Sequence, residues 1–346
     1  MKKFFTFFVF LPIFFIPLLI SPLSCSLADD AGIFASFDGG QTWQQKGQIS
    51  KKDSLNDKNI LSLRFDSKNP RIIYAGTDGV GLYKTLDAGD LWYQVIDAQN
   101  PLLAKIAVYD IAVDPQEPAR LYLAALGDGY GLCFRSEDGG VSWEQVYKTS
   151  QTKKAALVLE IDAQNHRVVY LGTAEGGILV SRDYGKSWEA LAWLKAPVSD
   201  LAVDPFNSAT IYAATTGSGI FKSVDFGRTW TEQKSDVSNI HTLEIFSNTP
   251  GTVLAASSDG LLKTIDGGST WGIINIVIPP NSLPILDVAV NQRKNSEFYY
   301  TAGSVVYKTT DSGINWQVYP LQTTKDVRAI AINPHFADNI LTGIHK

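Results

Sequence analysis

Sulfur is scarce in this chain. Its 346 residues hold two cysteines and one methionine. Cys25 lies in the N-terminal segment and Cys133 in a strand-like run, so the mature part has no pair for a structural disulfide and its stability must come from packing. Cys-x-x-Cys pairs are missing, and the four histidines, His166, His241, His335 and His345, are scattered along the chain, which argues against a zinc centre and gives no metal or cofactor expectation. Positive charge is not in excess either: 30 Lys and Arg against 35 Asp and Glu give a formal net charge of −5, which excludes a general affinity for nucleic acid. A sustained helical period is also absent. Aromatics, by contrast, are plentiful, with 8 Trp, 14 Tyr and 17 Phe, and suit a rigid β-rich core.

The N-terminus reads as a targeting segment. Lys2 and Lys3 precede an almost wholly apolar run from Phe4 to Ile20, and small residues follow in SPLSCSLA. The run is shorter than the ~20 residues of a spanning helix and is broken by Pro12 and Pro17, so residues 1–28 are expected to be a signal peptide and residues 29–346 the mature protein, exported to the periplasm, the cell surface or the medium. Two processing routes are open: cleavage before Asp29, or a lipoprotein signal ending before Cys25, with lipidation there as the one membrane attachment. The second has a blemish, since Pro22 stands where the lipobox leucine belongs.

One octet recurs seven times in the mature part: SFDGGQTW, TLDAGDLW, SEDGGVSW, SRDYGKSW, SVDFGRTW, TIDGGSTW and TTDSGINW. Its aspartates are Asp38, Asp87, Asp138, Asp183, Asp225, Asp266 and Asp311; its tryptophans are Trp43, Trp92, Trp143, Trp188, Trp230, Trp271 and Trp316. The spacing of 41 to 51 residues between aspartates is the period of a four-stranded propeller blade. Between octets run alternating strand patterns such as VYDIAVDP and RLYLAAL, divided by turns carrying Asp, Pro and Asn. The expectation is an all-β, seven-bladed propeller with four strands per blade. After Asp311 the chain offers two strands, VRAIAIN and NILTGI, and before Asp38 only one, Ala31 to Phe37, so the last blade is expected to close by pairing C-terminal with N-terminal strands.

The octet resembles the Asp-box, or BNR, repeat, found in sialidases, xyloglucan-degrading hydrolases, sortilin-type receptors and a photosystem II assembly factor. The resemblance covers nearly the whole mature chain and is specific for fold, but its bearers include enzymes, receptors and chaperones. Sialidases resemble a six-bladed ring with an Arg-Ile-Pro motif that this chain lacks, and the xyloglucan-degrading enzymes pair two propellers across a cleft where this chain offers one. The assembly-factor group matches in size, blade number and exported start.

The octet aspartates are expected to be structural. They lie between the third and fourth strands, about 12 Å outside the innermost one at ~4.8 Å per strand, too far for a general base serving the central channel. Each Asp is expected to accept N–H groups of its own turn, Gly to supply backbone freedom and Trp to pack between blades, while Leu91 and Asn315, standing where Ser or Thr is usual, should each lose their box a hydrogen bond.

Chemistry is expected in the channel instead. Alignment of the inner strands puts Ser62, Asp110, Val158, Asp200, Thr242, Asp287 and Ala329 at one position and Arg64, Ala112, Glu160, Ala202, Glu244, Ala289 and Ala331 two residues on, with apolar residues between. Alternation turns both sets toward the channel. The candidates for catalysis or cation binding are therefore Asp110, Asp200, Asp287, Glu160 and Glu244. Tyr130, in the Gly-rich GDGYG loop, and Leu283, beside Pro279 and Pro280, are candidate contacts on the ring face. The function expected is an exported, non-catalytic binding or assembly scaffold with a protein or glycan partner outside the cytoplasm; the alternative is a glycoside hydrolase using the channel carboxylates.

Overall fold

A computed structural model describes residues 30–233, 237–278 and 282–346. The expected signal peptide, Cys25, Pro279 and Pro280 lie outside the described residues. Seven antiparallel sheets of four strands surround a central channel. The inner strands, from blade one to blade seven, are Ile60–Phe65, Ala107–Val113, Ala156–Ile161, Val198–Val203, Ile240–Ile245, Asp287–Val290 and Asp326–Ile332. Blade seven takes its two inner strands from the C-terminus and its outer two, Gly32–Ser36 and Gln44–Gln45, from the N-terminus, in the expected order. Ile33 pairs with Gly343 and Ser36 with Ile340 across that seam. Closure removes the free edge that an open ring would present.

The second strand of a blade is covered by neighbouring blades on both faces, so it reads as a continuous buried run: Ile73–Thr77, Val169–Thr173 and Phe298–Ala302 are buried throughout. Blades converge toward the axis, and this taper selects small residues there. A Cβ on Gly76 would lie 2.3 Å from the Ser62 hydroxyl and 2.6 Å from the Val108 carbonyl oxygen of the next blade. The core is therefore a series of wedges, each shared by two blades. Tyr74 and Leu82 of blade one, for instance, pack with Ile111, Leu121 and Phe134 of blade two. The closing wedge joins Phe34 and Ile340 to Tyr299 and Val306 of blade six.

Candidate functional site

The channel holds about 570 Å³ and is lined by the aligned inner-strand residues of both sets except Ala112, including Arg64, Asp110, Glu160, Asp200, Glu244 and Asp287. The aspartates do not simply point into water, as alternation alone suggested. Each spans the junction to the next blade: Asp110 accepts the backbone N–H of Leu159 at 2.9 Å, Asp200 that of Leu243 at 2.7 Å and Asp287 that of Ile330 at 2.8 Å. The other oxygen of each takes the N–H of its own following residue, Ile111, Leu201 or Val288. An inner strand is an edge strand with unpaired N–H groups, and these carboxylates satisfy them. Asp occurs in alternate blades two, four and six. Glu160 bridges blade three to blade four by accepting Val203 N–H at 3.3 Å. Between blades one and two, Ser62 donates to Val108 O at 3.2 Å, while Arg64 donates to Ile111 O at 2.9 Å and meets Asp110 at 3.2 Å.

Burial between converging strands raises the acids. Glu160 is pushed up to about 8 by desolvation, against the pull of Val203 N–H, and Glu244 to about 8 by desolvation with the Asp287 charge beside it. Asp200 rises to about 7 and Asp287 to about 6, again by desolvation, opposed by the N–H groups they accept. Glu244 alone of the five acids has no hydrogen-bond partner among the described residues. Burial works against the charge of Arg64, yet the nearby Asp110, Glu244 and Glu160 hold it more firmly protonated than usual.

The octets behave differently. In the fourth blade, Asp225 receives the Ser223 hydroxyl at 2.8 Å, Thr229 N–H at 2.8 Å and the Thr229 hydroxyl at 2.6 Å, while Gly227 N–H donates to the Ser223 hydroxyl at 2.9 Å. The boxes of Asp38, Asp138, Asp183 and Asp266 repeat the three donors. Asp87 accepts the Thr85 hydroxyl at 2.7 Å and Leu91 N–H at 2.9 Å but lacks the hydroxyl four residues on, because Leu91 stands there. Asn315, contrary to expectation, keeps the bond, its amide donating to Asp311 at 2.7 Å. Hydrogen bonds from the hydroxyl four residues on lower Asp38, Asp183 and Asp225 to about 2. The residue after each Asp has positive φ, even where it is Ala88, Tyr184, Phe226 or Ser312. The box also fastens neighbouring blades: Lys84 donates to Gly139 O at 2.9 Å, Lys222 to Gly267 O at 2.6 Å and, across the closure, Lys308 to Gly39 O at 3.2 Å.

The tryptophans are uneven. Trp92 and Trp143 are buried, whereas Trp43, Trp188, Trp230, Trp271 and Trp316 are half-exposed, so packing between blades holds fully for two of the seven. Tyr130 is also half-buried, against the wedge between blades one and two, with the Lys148 ammonium 3.7 Å from its ring centre. Leu283 is exposed.

Sequence reasoning missed one ring. Six inner strands carry a β-bulge just before the aspartate position, which brings Leu61, Tyr109, Leu157, Ser199, His241 and Arg328 to the channel wall. A bulge adds one residue and re-aims a side chain, so strict alternation assigned these residues to no face.

Family models described as a BNR/Asp-box repeat and a BNR-Asp box repeat match residues 34–45 and 220–233. The chain is 32% identical over 138 residues to the xyloglucanase Xgh74A of Acetivibrio thermocellus, covering 36% of this chain and 16% of that protein. With an oligoxyloglucan-reducing end-specific xyloglucanase of Emericella nidulans it shares 26% over 208 residues, 49% of this chain and 25% of the relative. The chain thus spans a quarter or less of the length of these relatives. Among solved structures, the GH74 xyloglucanase of Xanthomonas campestris superposes with a TM-score of 0.71 at 19% identity, over 87% of this chain and 52% of the other. YCF48 bound to D1 peptide superposes with a TM-score of 0.61 at 17% identity, over 84% and 94%. At these identities the structural likeness establishes the fold: a seven-bladed propeller bearing Asp-box repeats.

Proposed function

We propose that the protein is an exported, non-catalytic binding or assembly scaffold that engages a protein or glycan through one propeller face and the channel. The observation that carries this reading is the use of Asp110, Asp200 and Asp287 as backbone clamps between blades. A carboxylate already holding N–H groups of two strands is poorly placed to shuttle protons to a substrate. Export, and lipidation at Cys25 as one route to a membrane, rest on the N-terminal sequence. A face-on partner suits the loops around Tyr130 and Leu283, which sit on a rigid ring. Both partner classes have precedent in proteins similar to this one, named a xyloglucanase and YCF48 bound to D1 peptide.

The alternative is a glycoside hydrolase, and one feature favours it. Glu244 has no hydrogen-bond partner among the described residues and holds its proton up to about 8, as a general acid at neutral pH must. Measuring reducing ends released from xyloglucan by the wild type, Glu160→Gln and Glu244→Gln decides between them. The scaffold reading expects no release from any of the three. Release by the wild type that disappears in Glu244→Gln would overturn it.

A further inference from the structure

The bulge ring gives one mouth of the channel a chemistry unlike the acidic waist. In order around the axis it runs Leu61, Tyr109, Leu157, Ser199, His241 and Arg328, with Leu286 of the unbulged sixth blade between the last two, so Arg328 stands between two leucines. Most of the polar capacity there is already used: Ser199 donates to Ile240 O at 2.6 Å, and His241 Nε2 lies 3.1 Å from the Ser258 hydroxyl. The Arg328 guanidinium has neither a hydrogen bond nor an ion pair among the described residues. Burial, then the Arg328 charge, lowers His241, so the imidazole is a neutral neighbour. An arginine half-buried at a channel mouth, flanked by leucines, with the Asp287 charge acting on it from the waist but no hydrogen-bond acceptor among the described residues, has the makings of a charge-assisted contact to a planar anion.

We propose that this mouth binds an organic carboxylate, its two oxygens on Arg328 with the Tyr109 hydroxyl and His241 close by, and its apolar chain against Leu61, Leu286 and Leu157. The proposal rests on the scaffold reading and deepens it by naming the chemistry of the captured group: either the C-terminus of a peptide ending in an apolar residue or a free aliphatic acid. The waist below tolerates an anion at neutral pH because Glu160 and Glu244 keep their protons up to about 8. Other charges facing the site are Asp110, Asp200, Asp287 and Arg64 in the channel, with Asp259 near His241 and Asp78 near Tyr109 at the rim. Affinity should therefore fall as pH rises from about 6 through about 8, as Asp287 and Asp200 and then Glu160 and Glu244 lose their protons.

Isothermal titration of the full chain with octanoate and with acetyl-Gly-Gly-Leu, each beside its amide, tests this. The expected result is binding of at least one carboxylate, with a roughly 10- to 100-fold loss in its amide and in Arg328→Gln, and partial recovery in Arg328→Lys. The carboxylate that binds identifies the source. His241 should titrate at higher pH in the complex, a shift that a purely structural role for Arg328 would not produce. Equal binding of acid and amide, unchanged affinity in an Arg328→Gln protein that melts like the wild type, or no binding of either acid overturns the proposal. Each of these leaves the scaffold reading standing, since that reading falls only to xyloglucan hydrolysis lost in Glu244→Gln.

Discussion

Two rings of acids in this molecule perform similar hydrogen bonding and end with opposite charge behaviour. In the outer ring, Asp38, Asp183 and Asp225 accept hydroxyl and N–H groups at the solvent boundary and are held near 2. In the inner ring, Asp200 and Asp287 also accept two N–H groups each, yet rise to about 7 and 6. Donors stabilise the charged form in both places. What differs is water: the boxes are bathed in it, while the channel acids sit among converging strands and other acids, where desolvation outweighs two hydrogen bonds.

The largest effects should come from packing that spans blades. Removing Val327–Lys346 deletes both inner strands of blade seven, and loss of any cooperative thermal transition is expected; an unchanged melt would refute closure as the basis of ring stability. Next comes Trp92→Ala, expected to cost about 3–5 kcal/mol by denaturant titration because the ring is wholly buried. The half-exposed Trp316 should cost less than half of that on the same change, and equal costs would mean that box tryptophans act through something other than burial.

The same substitution in both rings then sharpens the contrast. Asp183→Asn loses charge-assisted bonds from Ser181 and Ser187 and should cost roughly 1.5–3 kcal/mol at pH 8.5. Asp200→Asn removes a charge that burial already disfavours but turns an amide NH2 against one of the two backbone N–H donors, so it should cost less than Asp183→Asn at that pH. A larger loss at Asp200 would break the comparison.

The pH profile follows with its sign fixed by linkage. Raised acids bind more protons in the folded state, so their contribution is full below the unfolded carboxylate range and is lost as pH climbs from about 4 through about 8. Lowered box acids act the other way, losing stability only as pH falls from about 4 toward about 2. Melting midpoints should therefore be higher at pH 5 than at pH 8.5, and Glu160→Gln with Glu244→Gln should flatten that slope. A midpoint that rises toward pH 8.5 would show the channel to be far wetter than its lining implies.

The smallest effect lies in the box backbone. Ala88 has φ 66°, a left-handed conformation that costs a side-chain-bearing residue energy, so Ala88→Gly should stabilise by about 0.5–1 kcal/mol. Destabilisation would mean that added freedom in the unfolded chain outweighs the strain.

The repeat count, four strands per blade and exchange of terminal strands were legible because each has a local signature: an octet of fixed spacing, alternating runs and an incomplete period at either end. The two inner-strand positions that carry Asp110 and Glu160 were legible for the same reason. The ring of Tyr109, His241 and Arg328 was not, because a bulge leaves no mark in an alternating pattern and becomes visible only when the partner strand is paired against it. Nor was the Asn315 amide, which fills the role of a hydroxyl through side-chain length in the folded turn.

By itself, then, the sequence determined the ring, its seven boxes and its manner of closure, since these follow from spacing along one dimension. The tertiary structure alone decided which aspartates keep their charge and which tryptophans are buried. Both depend on how much water and how many neighbouring strands surround a side chain, and that is set by distance from the axis, a quantity no local pattern encodes.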